Sequence, residues 1–362
     1  MTPTLSPSRV LVTGGAGFIG SAVVRRLIRE GRVRVLNLDA LTYAANLAAV
    51  ENAVFSPHYA FLKADIADRE AVRRAFAEFR PEAVMNLAAE THVDRSIDDP
   101  LAFVRTNVLG TATLLHEALG YWRSLEAEAR ARFRFLHVST DEVFGALGEE
   151  GAFTEESPYR PNSPYAASKA GADHLARAFH RTYGLPVLVS NCSNNYGPWQ
   201  FWEKLIPLMT IKALRGEALP VYGQGLQVRD WLHVEDHAEA LWTILTRGRP
   251  GETYLVGGGE ESRNIDTVRL ICDLVDELAG PDPAGPRRRL ITFVPDRPGH
   301  DHRYAIDCGK IARELGWRAA RRSFADGLRE TVAWYIAHRP WWEEGMRSRY
   351  DGARLGLGAA AR

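Results

Sequence analysis

The chain has 362 residues, with 45 basic and 45 acidic side chains, so its formal net charge is zero and nothing points to a nucleic-acid or membrane surface. At 46% hydrophobic and 25% charged it has the composition of a globule able to bury a core, and its length suits one large α/β domain with a smaller lobe. No stretch approaches the roughly 20 apolar residues of a membrane span. The segment Met1 to Ser8 lacks the charged and apolar regions of a secretory signal, and Cys192, Cys272 and Cys308 have no metal-ligand spacing. A reduced, cytoplasmic enzyme without a metal is expected.

Taken in order, Arg9 to Thr13 is a short apolar run that predicts a strand. It ends in Gly14-Gly15-Ala16-Gly17-Phe18-Ile19-Gly20, and an apolar periodicity then predicts a helix to Glu30. Val33 to Leu38, Tyr59 to Leu62, Ala83 to Leu87, Phe133 to Val138 and Leu185 to Ser190 read as further strands, with helical patterns between them. Strands alternating with helices imply parallel pairing and a doubly wound Rossmann sheet. After about Asn191, Gly and Pro become frequent (Gly197-Pro198, Leu219-Pro220, Gly257-Gly258-Gly259), as in a smaller mixed α/β lobe. The expected division is 1–190 for a dinucleotide domain carrying the reactive residues, 191–342 for a substrate lobe with some segments returning to the first domain, and 343–362 for a tail. Gly280 to Arg289, with three prolines and three arginines, reads as a surface loop, and Gly352 to Arg362 as a frayed end.

Gly14, Gly17 and Gly20 have the GxxGxxG spacing between a strand and a helix. Glycine lets the backbone turn tightly and approach a pyrophosphate, and the helix N-terminus offers free amides to it. Asp39 ends the next strand, where a carboxylate bonds both ribose hydroxyls and repels a 2′-phosphate; this favours NAD over NADP. Asp65-Ile66 follows the third strand and suits the adenine. Leu87-Ala88-Ala89 is small-residue backbone that permits close approach, although Ala88 and Ala89 could equally serve helix-to-sheet packing.

The reactive candidates are Ser139-Thr140-Asp141-Glu142 and Tyr165-Ala166-Ala167-Ser168-Lys169. Tyr165 and Lys169 stand four apart on one helix face. A phenol ionises near pH ~10, and an adjacent ammonium together with a positive nicotinamide favours the phenolate. It can then take a proton from an alcohol while hydride leaves the carbon, with Thr140 bonding the same hydroxyl. Hydride chemistry has no use for Asp141 and Glu142. Adjacent carboxylates separate in pKa and can supply one acid and one base; on spacing alone they could as well be a cap and a solvated side chain.

Together these residues resemble the dTDP-glucose 4,6-dehydratase family of extended short-chain dehydrogenases/reductases. The likeness runs from about Arg9 to Trp342 and includes Asp39-Ala40-Leu41-Thr42-Tyr43-Ala44, His92-Val93-Asp94-Arg95-Ser96-Ile97, Asn191-Cys192-Ser193-Asn194-Asn195-Tyr196-Gly197-Pro198, Glu203-Lys204-Leu205-Ile206-Pro207, Arg229-Asp230-Trp231-Leu232-His233 and Asp296-Arg297-Pro298-Gly299-His300-Asp301. The resemblance implies oxidation of a nucleotide sugar at C4 by NAD, with Tyr165 as base, loss of water across C5 and C6 using Glu142 as base and Asp141 as acid, and return of hydride to C6. It implies a tightly held NAD, with Phe18, Ile19, Leu41, Thr42, Thr106 and Asn195 joining the cofactor contacts. For the substrate it implicates Thr91, Asn194, Lys204, Leu205, Pro220, Tyr222, Arg229, Asn264, Arg297 and His300. A homodimer through Leu101 to Leu119 and Ala166 to Tyr183 is also implied. Phe144, Trp199, Trp202 and Glu260-Glu261-Ser262-Arg263 depart from the family pattern. A dehydratase of UDP-, CDP- or GDP-linked hexoses and a nucleotide-sugar 4-epimerase, which needs no Asp141 and Glu142, stay open.

Overall fold

The computed structural model describes residues 5–320, 323–348, 350, 352 and 355. In chain order its strands are β1 (Arg9–Thr13), β2 (Arg34–Asp39), β3 (Tyr59–Lys63), β4 (Ala83–Asn86), β5 (Arg134–Thr140), β6 (Val187–Cys192), β7 (Asn194–Tyr196), β8 (Leu219–Tyr222), β9 (Val228–His233), β10 (Thr253–Val256), β11 (Glu261–Arg263) and β12 (Ile291–Val294). Seven of them form one sheet in the order β10-β6-β5-β4-β1-β2-β3, with every neighbouring pair parallel. The chain winds outward from β1 through β2 to β3, then crosses to β4 and winds the other way. The carboxyl ends of β1 and β4 therefore flank the switch point, where open parallel sheets bind ligands.

Successive residues of a strand point to opposite faces, and both faces are apolar. Val10, Val12, Val35, Met85 and Leu188 face helices Phe18–Glu30 and Val234–Arg247, while Leu11, Leu36, Val84, Phe135 and Val187 face helices Arg69–Phe79 and Thr111–Ser124. All seven residues of β5 are buried. Helix Val234–Arg247 and β10 come from the second half of the sequence yet complete this first layer.

The smaller lobe holds a β11-β9-β7 sheet, a β12-β8 ribbon, and helices Leu205–Arg215, Asn264–Leu278 and Phe324–Ala337 around Met209, Val268, Ile271 and Leu328. Several expectations shift here. β5 runs two residues beyond Val138, to Thr140, so the reactive run begins inside the sheet. The segment 280–289 is not wholly a surface loop: Arg287 is buried, with its guanidinium on Asp276 and on the carbonyls of Ala213 and Gly280. Residues 343–348 are no tail but part of helix Arg339–Ser348; beyond Gly352 and Leu355 the expected frayed end lies outside the described residues. That helix packs Trp342 and Met346 against Phe201, Trp202 and Tyr335. Trp199, at φ +70°, meets the rings of Trp334, His338 and Trp341.

Candidate active site

The helix after β1 starts on Gly17, which has no side-chain cap, and it carries no acidic residue in its first turn. Its amides and partial positive charge are left for an anion. Gly14 sits at φ +70°, and a Cβ there would lie 2.7 Å from the Ala88 nitrogen; one on Gly20 would lie 2.1 Å from the Gly14 carbonyl oxygen. The loop thus approaches the end of β4 as closely as backbone can. Beneath it opens a cavity of about 290 Å³ lined by Gly14, Gly17, Phe18, Ile19, Gly20, Asp39, Thr42, Asp65, Ile66, Leu87, Ala88, Ala89, Thr106, Tyr165, Lys169 and Asn195. Leu41 is not on its wall; at φ +56° its amide instead donates to Asp39 Oδ1 (2.8 Å), while the Ala16 amide donates to Oδ2 (2.9 Å). Burial pushes the Asp39 carboxyl up and those two amides pull it back. Thr106 belongs to a π-helical stretch, Val104–Gly110, whose Asn107 bonds both the backbone of Glu90 and the hydroxyl of Ser168.

Helix Pro164–Tyr183 brings the phenol and ammonium in. It begins with Pro164 behind a Ser163 cap that accepts from the Ala166 amide (3.1 Å) and ends on left-handed Gly184. Tyr165 and Lys169 are both buried on one face of it, and Lys169 Nζ donates to the Val138 carbonyl (2.8 Å). Facing them, β5 ends at Thr140, whose hydroxyl accepts from the Glu142 amide (3.3 Å) and starts a 3₁₀ turn over Asp141–Phe144. Phe144 is turned away, stacked on Phe153.

The site's electrostatics are those of buried charge. Burial first, then Glu142 and Cys192, holds the Tyr165 phenol well above its ordinary range, while the Thr140 hydroxyl pulls it down. Burial lowers Lys169. Burial raises Glu142 against the pull of Arg297, Lys204 and Arg229, and burial plus Glu142 holds Asp141 far above the carboxylate range. Glu142 lines the cofactor cavity and its neighbour alike; Asp141 lines neither, and its Oδ2 is buried without a partner.

The neighbouring cavity, about 240 Å³, is lined by Thr91, Asn194, Lys204, Leu205, Pro220, Tyr222, Arg229, Asn264, Arg297 and His300; Thr140 stays on the cofactor side. Arg229 lies 4.4 Å over the Tyr304 ring and donates to the Asp301 carbonyl (3.0 Å), and among the described residues its guanidinium forms no ion pair within 4 Å. Lys204 Nζ donates to the Thr91 carbonyl (2.9 Å). Arg297 pairs with Asp94 (3.0 Å), whose other oxygen accepts from the Tyr222 hydroxyl (2.8 Å), and burial holds His300 down to about 4. Sequence reasoning assigned no role to Asp94, Glu90, Glu203 or Tyr304, all of which line these cavities. Asp94 and Glu203 stood inside runs already singled out, each a carboxylate near a cation, but only the fold pairs Asp94 with Arg297 and Glu203 with Arg95. Trp199 and Trp202 line neither cavity, so those departures fall on the packing of the C-terminal helix.

Residues 11–331 match the family described as GDP-mannose 4,6 dehydratase. A dTDP-glucose 4,6-dehydratase of Neisseria meningitidis serogroup B is 56% identical over 353 residues, covering 97% of this chain and 99% of that protein. The chain belongs to the dTDP-glucose 4,6-dehydratase family. A member from Streptomyces venezuelae, solved with NAD bound, shares 46% identity at a TM-score of 0.84 and covers 93% of this chain and 99% of its own. A Thermus thermophilus UDP-glucose 4-epimerase complexed with NAD superposes at a TM-score of 0.79 but with 32% identity, over 91% of this chain and 99% of that one.

Proposed function

We propose that this chain converts dTDP-D-glucose to dTDP-4-keto-6-deoxy-D-glucose. The observation that carries this reading is Glu142, a carboxylate on the shared wall between a glycine-floored cavity and one lined by the cations Lys204, Arg229 and Arg297, in a chain more than half identical to enzymes named for that reaction. The glycine loop, whose Cβ positions are filled by backbone, and the Asp39 carboxylate fit NAD. NAD, when bound, supplies the hydride acceptor for C4 and the donor for C6. Tyr165, beside the Lys169 ammonium, takes the C4 hydroxyl proton with Thr140 orienting that hydroxyl. The 4-ketone so formed acidifies C5. Glu142 takes the C5 proton and later returns it. Asp141, whose carboxyl burial and Glu142 raise, lies behind the cavity wall and serves as the acid for the departing C6 hydroxyl through the Thr140 hydroxyl, which it meets at 3.3 Å. Arg229 and Lys204 hold the diphosphate as a fork and a point charge, in keeping with a cofactor domain over 1–190 and a substrate lobe over 191–342.

The test is to incubate the protein with dTDP-, UDP-, CDP- and GDP-hexoses. Loss of one water from the dTDP-hexose, with solvent deuterium entering C5, is the expected result. Loss of water only from another nucleotide hexose would replace the substrate, and an isomer of unchanged mass would favour epimerisation.

A homodimer through Leu101–Leu119 and Ala166–Tyr183 is part of the proposal. Leu101, Val104 and Leu109 are 75%, 48% and 55% exposed, an apolar row that a partner would cover; sedimentation at the monomer mass would refute it. Cytoplasmic residence is inferred from three unpaired cysteines.

A further inference from the structure

Helix Pro164–Tyr183 carries a third ionisable group in step with the first two: Tyr165, Lys169 and Asp173 stand at i, i+4 and i+8. Asp173 is fully buried and lies behind the reactive pair rather than in either cavity. Its Oδ2 accepts from the Tyr159 hydroxyl (2.7 Å) and from Asn191 Nδ2 (3.0 Å), and its Oδ1 lies 3.2 Å from His137 Nε2. That last contact is at ion-pair distance without the alignment of a hydrogen bond. A buried carboxylate so surrounded, on a residue the reaction does not touch, calls for an account.

The orientation of the Asn86 amide sets the direction of the bonds around it. The Ala88 amide, on the cofactor cavity wall, can only donate, and it donates to Thr13 Oγ1 (3.3 Å). The Thr13 hydroxyl then donates to Asn86 Oδ1 (2.7 Å), which leaves Asn86 Nδ2 to donate to His137 Nδ1 (3.1 Å). His137 must therefore carry its proton on Nε2, the nitrogen facing Asp173. Burial, then Lys169, keeps that imidazole neutral. Burial opposes the charge on Asp173, but His137, Lys169 and Tyr159 outweigh it and hold the carboxyl below its ordinary range. A neutral histidine and an anionic aspartate thus meet one helical turn beyond Lys169. On the other side, Asn191 Nδ2 also donates to the Thr140 carbonyl (3.0 Å).

We propose that Asp173 is a positioning residue for the oxidation step: its carboxylate holds Lys169 as the ammonium and, through Asn191, anchors the end of β5 that carries Thr140. This rests on the reading of Tyr165 and Lys169 as the proton-removing pair. The charged and titratable groups facing the device are Tyr165, Lys169 and Arg177 on its own helix, His137 on β5, Cys192 on β6, and Tyr159, whose phenol also accepts from Arg177 (2.6 Å). Asp141 and Glu142 act on Tyr165 from the turn after β5. Of these, Asp173 and Cys192 support the charge on Lys169, and a thiol that burial keeps protonated supplies none.

The experiment is the pH profile of single-turnover reduction of bound NAD by dTDP-glucose in the intact protein. Asp173→Asn keeps the shape and removes the charge. Lys169 then loses its proton at lower pH, so the alkaline limb moves down by about one pH unit or more while KM for the sugar nucleotide stays within about twofold. An activity loss with an unmoved limb would overturn the proposal and leave Asp173 as a packing residue. Should Asp173→Asn fail to retain NAD or to fold, Tyr159→Phe removes a donor from the same carboxylate, leaves its charge less screened and moves the alkaline limb up by a smaller amount; no shift, or a downward one, overturns it equally. Tyr165→Phe separates the two readings: if it still reduces NAD, the assignment of the base fails, whereas an inactive Tyr165→Phe beside an unshifted Asp173→Asn refutes the role of Asp173 alone.

Discussion

The two cavities are built in opposite ways. The cofactor cavity is floored by backbone: glycine positions packed on Ala88 and on each other, Leu87 and Ala89, and one helix end. The substrate cavity is largely side chain: Lys204, Arg229, Arg297 and Asp94, brought from segments more than 200 residues apart and fixed by ion pairs, carbonyls and an aromatic ring. A backbone site fails when a single carbon is added. A side-chain site degrades by degrees, one contact at a time.

The largest effect should come from breaking the backbone site. Gly20→Ala puts a Cβ 2.1 Å from the Gly14 oxygen, so the purified variant should carry no NAD, read by absorbance and by mass of the released cofactor. Next is the shared wall: Glu142→Gln should keep its NAD yet lose about 10²–10⁴ in rate, with no solvent deuterium reaching C5. Full labelling at C5 in that variant would remove Glu142 from its role.

Glu90, one of several carboxylates on the cofactor side, is raised by burial and then Glu203 to about 7. A raised carboxyl contributes stability that is complete below its unfolded value and lost as pH climbs through the folded one, so the cofactor-free protein should weaken between pH about 5 and 8. Glu90→Gln should flatten that slope by up to about 3 kcal/mol in urea unfolding; an unchanged slope would place the burden on other groups. The mildest change is Arg229→Lys, which keeps the charge but cannot reproduce the fork over Tyr304; a roughly tenfold rise in KM with kcat little altered is expected from steady-state kinetics. A collapse as complete as that of Gly20→Ala would erase the contrast between the cavities.

The same contrast explains what the amino-acid order disclosed. Gly14, Gly17, Gly20 and Asp39 lie within one strand–helix–strand unit, where the chemistry of the site and the local rules of turns and caps coincide. The sheet was legible for the same reason, since apolar runs and helical periods are local. The partners of Arg297 and Arg95 were not, because Asp94 and Glu203 reach them only through the closure of the lobe. Asp141 and Glu142 looked equivalent in sequence, yet the tight turn after Thr140 sends one to the cavity wall and the other behind it. Nor did the tryptophans disclose that they belong to the packing of a terminal helix, for an aromatic residue in a loop reads alike on either side of a wall.

Thr91, Glu142, Asn194, Asn195, Gln200, Glu203 and Lys204 face both cavities. A partition made of the same side chains on its two sides makes each guest part of the other's enclosure. A sugar seated against it stoppers the compartment next door, and one that left half-reacted would unseal a reduced cofactor to water. Retention of an unfinished intermediate is then a property of the architecture, set by who must leave first.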